Sequence, residues 1–351
     1  MLVLVLTFAI LVAAALTARD TQADIPVTSP NSAEPVVLAE ESATNGPERD
    51  TDLQLYDAIA ERVAAGESYY EVAVEEQRAR DFPVRPGLAV RLPTLVYVTA
   101  LLGEWGMIVL AVALAIATIV AWHFRLRDEP GGPGRLRYLL LLLIIGAVSG
   151  FKPQYLALHE VWAGMLIALS IGLYRPDRWG WALLAGILAL AVRELALPFI
   201  LLMGWLALLR GNRGEAAAWL GVVLLFAGVL TAHLIAVSGV TSEADPASPG
   251  WMALRGIGGW TANIVLSSPL HLLPPYVAAP LVLLPLLGWA AWRSWFGVTG
   301  FLLCLGYGVL FMIAGRDNNF YWALIVMPVW FVGYAFVPRA LASLWNSARG
   351  H

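Results

Sequence analysis

The sequence predicts an all-α fold, a polytopic transmembrane helical bundle of about eight to ten membrane segments. Some segments are expected to be short or re-entrant, and an outer loop is expected to carry short amphipathic helices. The chain is 59% hydrophobic and 13% charged, whereas soluble domains are about 45–50% apolar and about 25% charged. Mean hydropathy is +0.72. This composition excludes a soluble enzyme, a nucleic-acid binder and a disordered chain, and the single cysteine, Cys304, excludes an intrachain disulfide.

The chain divides into five predicted regions. They are an N-terminal transmembrane helix or signal anchor (1–18), a flexible acidic linker (19–50), an extracytoplasmic loop with amphipathic helices (51–104), a transmembrane helical bundle (105–338) and a cytoplasmic tail (339–351). We expect the first helix to be retained, with a cleaved signal peptide as the alternative. The linker is rich in Pro, Ser, Glu and Asp and has no hydrophobic periodicity, which is typical of flexible segments.

The extracytoplasmic loop begins with two predicted helices. An apolar stripe at helical spacing marks the first of them: Leu55, Tyr56, Ile59 and Val63. Thr51 with Gln54 forms a capping-box pattern, and Gly66 is a predicted stop. Ser68 with Glu71 is a second capping box, which opens the next helix. Both helices are expected to lie on the outer membrane interface.

Apolar runs and basic breaks predict the topology of the bundle. The runs lie near residues 105–124, 138–150, 160–174, 179–209, 216–238, 276–296, 298–314 and 320–337. Breaks rich in arginine are expected on the cytoplasmic side: Arg125, Arg127, Arg135, Arg137, Arg175, Arg178, Arg210, Arg213, Arg293, Arg339 and Arg349. The remaining breaks are poor in basic residues and are expected on the outer side.

One apolar run has a basic break at both of its ends. Its 31 residues would span about 46 Å as a single helix, which exceeds a hydrocarbon core of about 30 Å. A helical hairpin of residues 180–192 and 196–209 resolves both problems, with Arg193 and Glu194 at its turn. The turn is then expected at the floor of an outward-facing polar cavity. One tilted, proline-kinked helix with a buried Arg–Glu pair is the alternative.

Several motifs carry a resemblance to a known family. The string DLQLYDAIAERVAAGESYYEV places Asp52, Tyr56, Gly66, Tyr69 and Tyr70 in order, and RLPTL follows it. Later pieces are HEVWAGMLIALS at 159–170, RELALPF at 193–199 and GRDNNFYWALIVMP at 315–328. Over roughly residues 50–340 the chain resembles the GT-C superfamily of polytopic membrane glycosyltransferases, in particular those that transfer mannose or arabinose. It lacks the paired acidic dipeptide of protein O-mannosyltransferases, which leaves the acceptor class open.

The resemblance implies a function and a general base. The expected reaction moves a hexose or pentose, with inversion, from a polyprenyl-phosphate sugar to a glycan, lipid or protein acceptor at the extracytoplasmic face. Such transfer needs a base for the acceptor proton and cations for the departing phosphate. The resemblance implies Asp52 as the base, with Asp50 and Asp57 as neighbouring competitors. The alternative is that Asp52 only stabilises the start of its helix.

The residues expected to bind substrate lie at outer helix ends. They are Tyr56, Tyr70, Lys152, Glu160, Arg193, Glu194, Arg316, Asn319 and Tyr321. Ionisable residues at membrane depth are functional candidates because their burial is costly. Each cation also has a structural interpretation: an ion pair with Glu194 for Arg193, a solvated loop for Arg316, and snorkelling to head groups for Lys152.

Four further residues are left undecided by the sequence. Arg255 is predicted in a glycine-rich outer loop, where it covers a lipid groove or belongs to an interfacial anchor. Arg85 and Arg91 reach either the cavity or lipid head groups. His159 binds a metal or the acceptor, but a third ligand at recognisable spacing is missing, so a metal site is weakly supported. No cofactor is predicted with certainty, and a divalent cation remains an option.

The predicted location is the inner, plasma membrane, with the active site facing the periplasm or exterior and membrane lipids as partners. Nucleic acid is not an expected partner. A lipid or small-anion transporter or flippase with a broken-helix site is the main alternative function. A non-catalytic membrane scaffold is the third, but it leaves the Arg193–Glu194 turn unexplained.

Overall fold

The fold is an all-α bundle in the part of the chain that the structure describes. The computed structural model describes residues 2–18, 51–148, 150 and 153–349, and only the backbone of residues 51, 52, 153 and 154. The predicted linker 19–50 and Lys152 therefore lie outside the described residues. Four helical stretches are long and apolar enough to cross a membrane, and five shorter apolar helices accompany them among the described residues. The predicted fold class is confirmed.

Fourteen α-helices follow one another along the described chain. They are α1 (Leu2–Leu16), α2 (Thr51–Ala64), α3 (Tyr69–Ala79), α4 (Thr94–Asp128), α5 (Leu136–Val148), α6 (His159–Leu173), α7 (Gly180–Val192), α8 (Leu197–Leu209), α9 (Arg213–Val240), α10 (Gly256–Leu266), α11 (Pro275–Ala291), α12 (Trp295–Ile313), α13 (Met327–Trp330) and α14 (Val337–Ala348). Short 3-10 helices connect several of them, the longest at Asp317–Ile325 and Phe331–Phe336.

Helices α2 and α3 form as the sequence predicts, and residues 51–92 are called the outer segment after the side of the membrane predicted for them. Leu55, Ile59 and Val63 are buried and pack against residues of α3. Gly66 ends the first helix with φ +96°, a conformation that glycine adopts without strain. The capping prediction at Ser68 is wrong in its detail, because Ser68 stands at the N-cap but its side chain makes no capping hydrogen bond.

Helix α4 contains a break that separates the outer segment from the bundle. Gly103 has φ +64° and ψ 180° inside the helix, a region that is essentially reserved for glycine. The residues on either side face outward, since Leu101 is 83% and Trp105 is 80% exposed. The predicted apolar run from residue 105 therefore begins directly after the break.

Several of the arginine-rich breaks lie together at one end of the bundle. The Arg125 guanidinium lies 5.0 Å from the centre of the Phe296 ring, and the Arg210 guanidinium lies 5.8 Å from that of Trp295. Trp292 Nε1 donates a hydrogen bond to the Pro130 carbonyl at 2.9 Å. These contacts join the ends of α4, α8 and α11 and the start of α12, so several of the predicted breaks lie at the same end of the bundle, and the cytoplasmic location of that end stays a prediction.

The hairpin prediction for the long apolar run is also confirmed. Helices α7 and α8 are separate, and a Cβ placed on Gly186 would lie 3.1 Å from Ile200 Cδ1. In one continuous helix these two residues would stand about 21 Å apart, at 1.5 Å of rise per residue. Ser170 Oγ donates to the Ala182 carbonyl at 2.6 Å, which joins the end of α6 to the start of α7.

Two sequence predictions about the second half of the bundle are wrong. The glycine-rich segment after Arg255 is the buried helix α10, because Gly308 of α12 leaves room for the Trp260 ring. The predicted apolar run 320–337 is no single helix. It is divided among the 3-10 helix that ends at Ile325, the short helix α13 with Pro328 in its first turn, and a 3-10 helix in which Gly333 packs against the Pro285 carbonyl.

Candidate functional site

Six side chains meet where the outer segment rests on the bundle. They form the outer polar cluster: Tyr56, Arg91, His159, Glu160, Arg193 and Glu194. Helix α2 supplies the tyrosine, the chain before α4 supplies Arg91, the start of α6 supplies His159 and Glu160, and the turn between α7 and α8 supplies the other two. Four of them, all but Arg91 and His159, were among the predicted substrate-binding residues.

Arg193 is the centre of this cluster. Its Nε donates to Glu160 Oε1 at 2.8 Å, and its Nη1 donates to the Glu194 carboxylate. The side chains of Arg193 and Glu160 are 1% and 2% exposed, while that of Glu194 is 24% exposed. The position follows from the local chain, because α7 ends at Val192 and Arg193 is extended, with φ −148° and ψ 121°.

The second arginine connects the outer segment to the same turn. Arg91 Nε donates to Tyr56 Oη at 3.2 Å, and Arg91 Nη1 lies 3.9 Å from Glu194 Oε1. Tyr69 Oη donates to the Arg91 carbonyl at 2.6 Å and so fixes its backbone. Burial raises the pKa of this tyrosine, which therefore remains a hydrogen-bond donor.

His159 lies deep in the cluster. Its ring is 5.3 Å from that of Tyr56 between centroids, in an edge-to-face arrangement, and the residue is 2% exposed. Its Nε2 has no hydrogen-bond partner among the described residues. Buried polar groups are nearly always hydrogen-bonded, so this nitrogen requires an explanation.

The charges of the cluster balance. Two guanidinium groups face two carboxylates, and Arg193 contacts both carboxylates directly. A buried charge that already has its counter-ion gains little from a second anion, and removing the counter-ion is strongly unfavourable. We therefore interpret Arg193 as a group that positions Glu160 and Glu194, which matches the ion-pair alternative left open by the sequence.

A 3-10 helix of residues Asp317–Ile325 lies beside the cluster. The Arg193 guanidinium lies 6.0 Å from the centre of the Trp322 ring. Asn319 Oδ1 accepts a hydrogen bond from the Arg316 backbone at 3.0 Å, so Asn319 caps this helix, and its Nδ2 is 3.5 Å from Tyr321 Oη. Tyr321 lies within electrostatic reach of Arg91.

Two of the residues predicted to bind substrate, Arg316 and Tyr70, lie away from the outer polar cluster. The Arg316 side chain is partly buried, and its Nε has no hydrogen-bond partner among the described residues. Tyr70 lies one layer outward, where its hydroxyl is 3.3 Å from His233 Nδ1. His233 Nε2 in turn is 3.1 Å from the Val90 carbonyl, so this pair anchors the outer segment on α9.

The predicted base stands in the first turn of α2. Asp52 comes one helical turn before Tyr56, on the same side of the helix by its register. Its side chain lies outside the described residues, and so does Lys152. The competitor Asp57 belongs to the described part and lines a cavity together with Tyr56.

This cavity has a volume of about 360 Å³ and lies between α2 and α4. The 3-10 turn at Pro153–Ala157 and His159 close one side of it. The sequence predicted a polar cavity floored by Arg193 and Glu194, but neither residue lines this one, whose position depends on how the outer segment packs on α4. Its existence gives the outer polar cluster a neighbouring space that is large enough for a small ligand.

The sequence left two residues of the cluster undecided. Arg91 stands between Val90 and Leu92, which are both buried. An arginine between two buried apolar residues is expected to be buried as well. This sequence context favours an Arg91 side chain that points into the protein over one that contacts lipid head groups. For His159, no group of three His, Cys, Asp or Glu side chains that could hold a metal ion is found within the described residues.

Arg255 is also more buried than a loop residue would be. Its Nη1 donates to Asn263 Oδ1 and its Nη2 donates to Asp317 Oδ1, both at 3.0 Å. The side chain is 5% exposed, whereas that of Asp317 is 65% exposed. Arg255 therefore joins α10 to the 3-10 helix beside the cluster, and an interfacial anchor does not describe it.

The chain was compared with protein-family models, curated proteins and solved structures, and none of them matches it.

Proposed function

We propose that this chain is a membrane glycosyltransferase that acts at the outer face of an inner, plasma membrane. The observation that carries the proposal is the outer polar cluster, which lies buried between an ordered outer segment and the bundle. A scaffold has no need of two arginines and two carboxylates at this depth, where ionisable groups are costly. The cavity beside the cluster supplies space for an uncharged group such as the acceptor hydroxyl, and not for the anionic phosphate.

The proposed donor is a polyprenyl-phosphate sugar. An acceptor hydroxyl oxygen attacks the anomeric carbon of the sugar, and the bond from that carbon to the phosphate oxygen breaks. The acceptor proton passes to the base, and polyprenyl phosphate leaves with the bonding electron pair. Attack opposite the leaving group inverts the anomeric carbon. Asp52 is the proposed base because it stands one turn before Tyr56, a member of the cluster.

The departing phosphate needs a cation whose charge is available. Arg193 fits this role poorly because two carboxylates already pair with it. Arg316 fits better, since its partly buried Nε has no hydrogen-bond partner among the described residues. An arginine can contact two phosphate oxygens at once. Lys152 remains a proposed second contact, and the acceptor is a glycan, a lipid or a protein.

The test uses the full chain in lipid discs. A panel of polyprenyl-phosphate sugars is offered with pooled acceptors, and released polyprenyl phosphate is measured. We expect Asp52→Asn to abolish release, while Glu71→Gln, an exposed acid on α3, retains it. Thermal unfolding of each variant confirms that it is folded. Equal release by Asp52→Asn and the parent chain would overturn the assignment of the base.

A transporter or flippase is the second candidate, and the broken helices favour it. The turn at Arg193 and the 3-10 segments around α13 resemble the interrupted helices at which transporters bind substrate. In sealed vesicles, a transporter moves the lipid-linked sugar across the bilayer without splitting it. Intact donor in the opposite leaflet, with no polyprenyl phosphate, would identify transport and exclude transfer.

A further inference from the structure

The cavity between α2 and α4 has two chemically different walls. Helix α2 contributes Asp57 and Glu61, which are four residues apart and therefore share one face. Helix α4 contributes apolar side chains, with Met107 and Ile108 among them. A ligand that matches both walls has a polar head and an apolar chain.

A third carboxylate lines the cavity from α4. Glu104 lines the cavity directly after the break at Gly103, and its neighbours Leu101 and Trp105 are exposed on the outer surface of α4. In a membrane protein, such exposed apolar side chains face lipid. An amphiphile can therefore reach the cavity sideways from the outer leaflet, past the break in α4.

The charge of the lining selects the head group. The described residues that line the cavity include three carboxylates, Asp57, Glu61 and Glu104, and no lysine or arginine. Several negative charges in one cavity repel an anionic ligand and attract a cationic one. His159 also lines the cavity and gives it a hydrogen-bonding group, because the buried Nε2 of this residue has no partner among the described residues.

We propose that this cavity binds a single-chain amphiphile with a protonated amine head group. The ammonium group is attracted by the combined negative charge of the three carboxylates, one of its N–H groups donates to His159 Nε2, and the chain lies along Met107 and Ile108. The volume of about 360 Å³ falls within the range of about 300–1,000 Å³ that is typical of small-molecule sites. This inference is independent of sugar transfer.

The test is photolabelling of the full chain in discs of zwitterionic lipid. The probes are dodecylamine, dodecanol and dodecyl phosphate, each with the same diazirine in its chain. We expect saturable labelling by the amine on the peptides that contain residues 57–64 and 104–108. We expect the alcohol to label these peptides at least about tenfold less, which corresponds to about 1.4 kcal/mol, and the phosphate to leave them unlabelled.

Two pairs of variants make the result specific. Glu61→Gln with Glu104→Gln removes two of the carboxylates, and Glu71→Gln is the control because Glu71 is exposed on α3. Ala100→Phe narrows the cavity, and Ala113→Phe changes an exposed position of the same helix. We expect amine labelling to fall at least about tenfold in the first variant of each pair and to stay unchanged in the controls.

Two results would overturn the proposal. One is equal labelling of these peptides by the amine, the alcohol and the phosphate. The other is amine labelling that is the same in Glu61→Gln/Glu104→Gln as in the parent chain. Each variant is checked by thermal unfolding before labelling. Because the probes contain no sugar, a failure here leaves the glycosyltransferase proposal untouched, and a failure of sugar transfer leaves this one untouched.

Discussion

Both ends of the bundle bury ion pairs, but they use their carboxylates differently. At the arginine-rich end, Glu215 is fully buried and accepts hydrogen bonds from the side chains of Tyr174, Arg210, Asn212 and Trp219, at 3.2 to 3.3 Å. At the opposite end, Glu160 accepts a hydrogen bond from Arg193, and His159 beside it has a nitrogen without a described partner.

The comparison shows that burial of charge alone does not identify a functional site. Glu215 fills its hydrogen-bonding capacity with protein groups, and Trp219 below it packs between α7 and α8. That arrangement locks helices together. The outer polar cluster has a balanced charge as well, yet it has a cavity at its side. The two ends therefore differ in one feature: only the outer polar cluster has a hydrogen-bonding group without a described partner beside an open cavity.

The largest expected effect comes from breaking the centre of the outer polar cluster. Arg193→Met leaves Glu160 buried without its counter-ion, so we expect a loss of about 3–5 kcal/mol in the free energy of unfolding. The double variant Arg193→Met/Glu160→Leu removes both charges and is expected to recover most of this loss. Denaturant unfolding in discs measures both values.

The double variant also distinguishes a purely structural ion pair from one that is needed for activity. If the pair only holds helices together, the double variant regains sugar transfer along with stability. We expect it to regain stability and remain inactive. A double variant as unstable as Arg193→Met would contradict the proposed pairing.

The next effect is expected at the arginine-rich end. Glu215→Gln preserves the shape of the side chain, but its amide oxygen can accept only two of the four hydrogen bonds and its NH2 group faces the other two donors, at a cost of about 1.5–3 kcal/mol. Transfer activity per folded molecule should not change, since this residue is remote from the outer polar cluster. The same unfolding assay and a turnover assay measure the two quantities. A specific loss of turnover in the folded variant would show that the two ends are coupled.

A smaller effect is expected at the break in α4. Gly103→Ala places a Cβ at φ +64°, and such strain costs about 1–3 kcal/mol. Gly228→Ala is the matched control because Gly228 lies inside α9 with open space around it. There alanine should be neutral or stabilising by about 0.5–1 kcal/mol. Equal stabilities of the two variants would mean that the break is not required.

The smallest expected effect is a local dependence on pH in the loop after α9. Arg78 Nε and Nη2 both donate to Asp245 at 2.7 Å and hold the pKa of this carboxyl below its usual range. A lowered pKa means that the pair contributes fully above about pH 5 and that the contribution is lost as the pH falls below about 4. Asp245→Asn should abolish this dependence.

Limited proteolysis with an acid-active protease measures this effect at the loop of residues 241–250. The ratio of cleavage rates, Asp245→Asn over the parent chain, should exceed one at pH 5 and be smaller at pH 2.5, because the contribution of the pair declines as the pH falls toward the lowered pKa of Asp245. A ratio that does not change over this range would contradict the role of the pair.

Much of the fold follows from the sequence, because the hydrophobic pattern and the arginine counts act locally. The α7–α8 hairpin and the two outer helices are examples. The predictions fail where tertiary packing overrides local pattern. Helix α10 looks like a loop because of its glycines, yet these allow close packing, and the 3-10 segments depend on contacts with α11.

The sequence predicted part of the outer polar cluster, as it predicted part of the fold. Charged residues at outer helix ends were recognised because their burial is costly, and Glu160, Arg193 and Glu194 do meet. Their pairing was harder to foresee, since Glu160 and Arg193 are 33 residues apart in sequence. The cavity depends on the angle at which α2 rests on α4, and no local pattern in the sequence encodes that angle.

The shortness of α7 and α8 has a consequence for the membrane itself. Each has 13 residues and therefore spans about 20 Å, about 10 Å less than a typical hydrocarbon core. Where α7 and α8 face lipid, the bilayer is expected to thin toward this length, at a cost of a fraction of a kcal/mol per ångström. Long acyl chains raise that cost, so the protein is expected to partition into thinner bilayer regions and away from sterol-thickened ones.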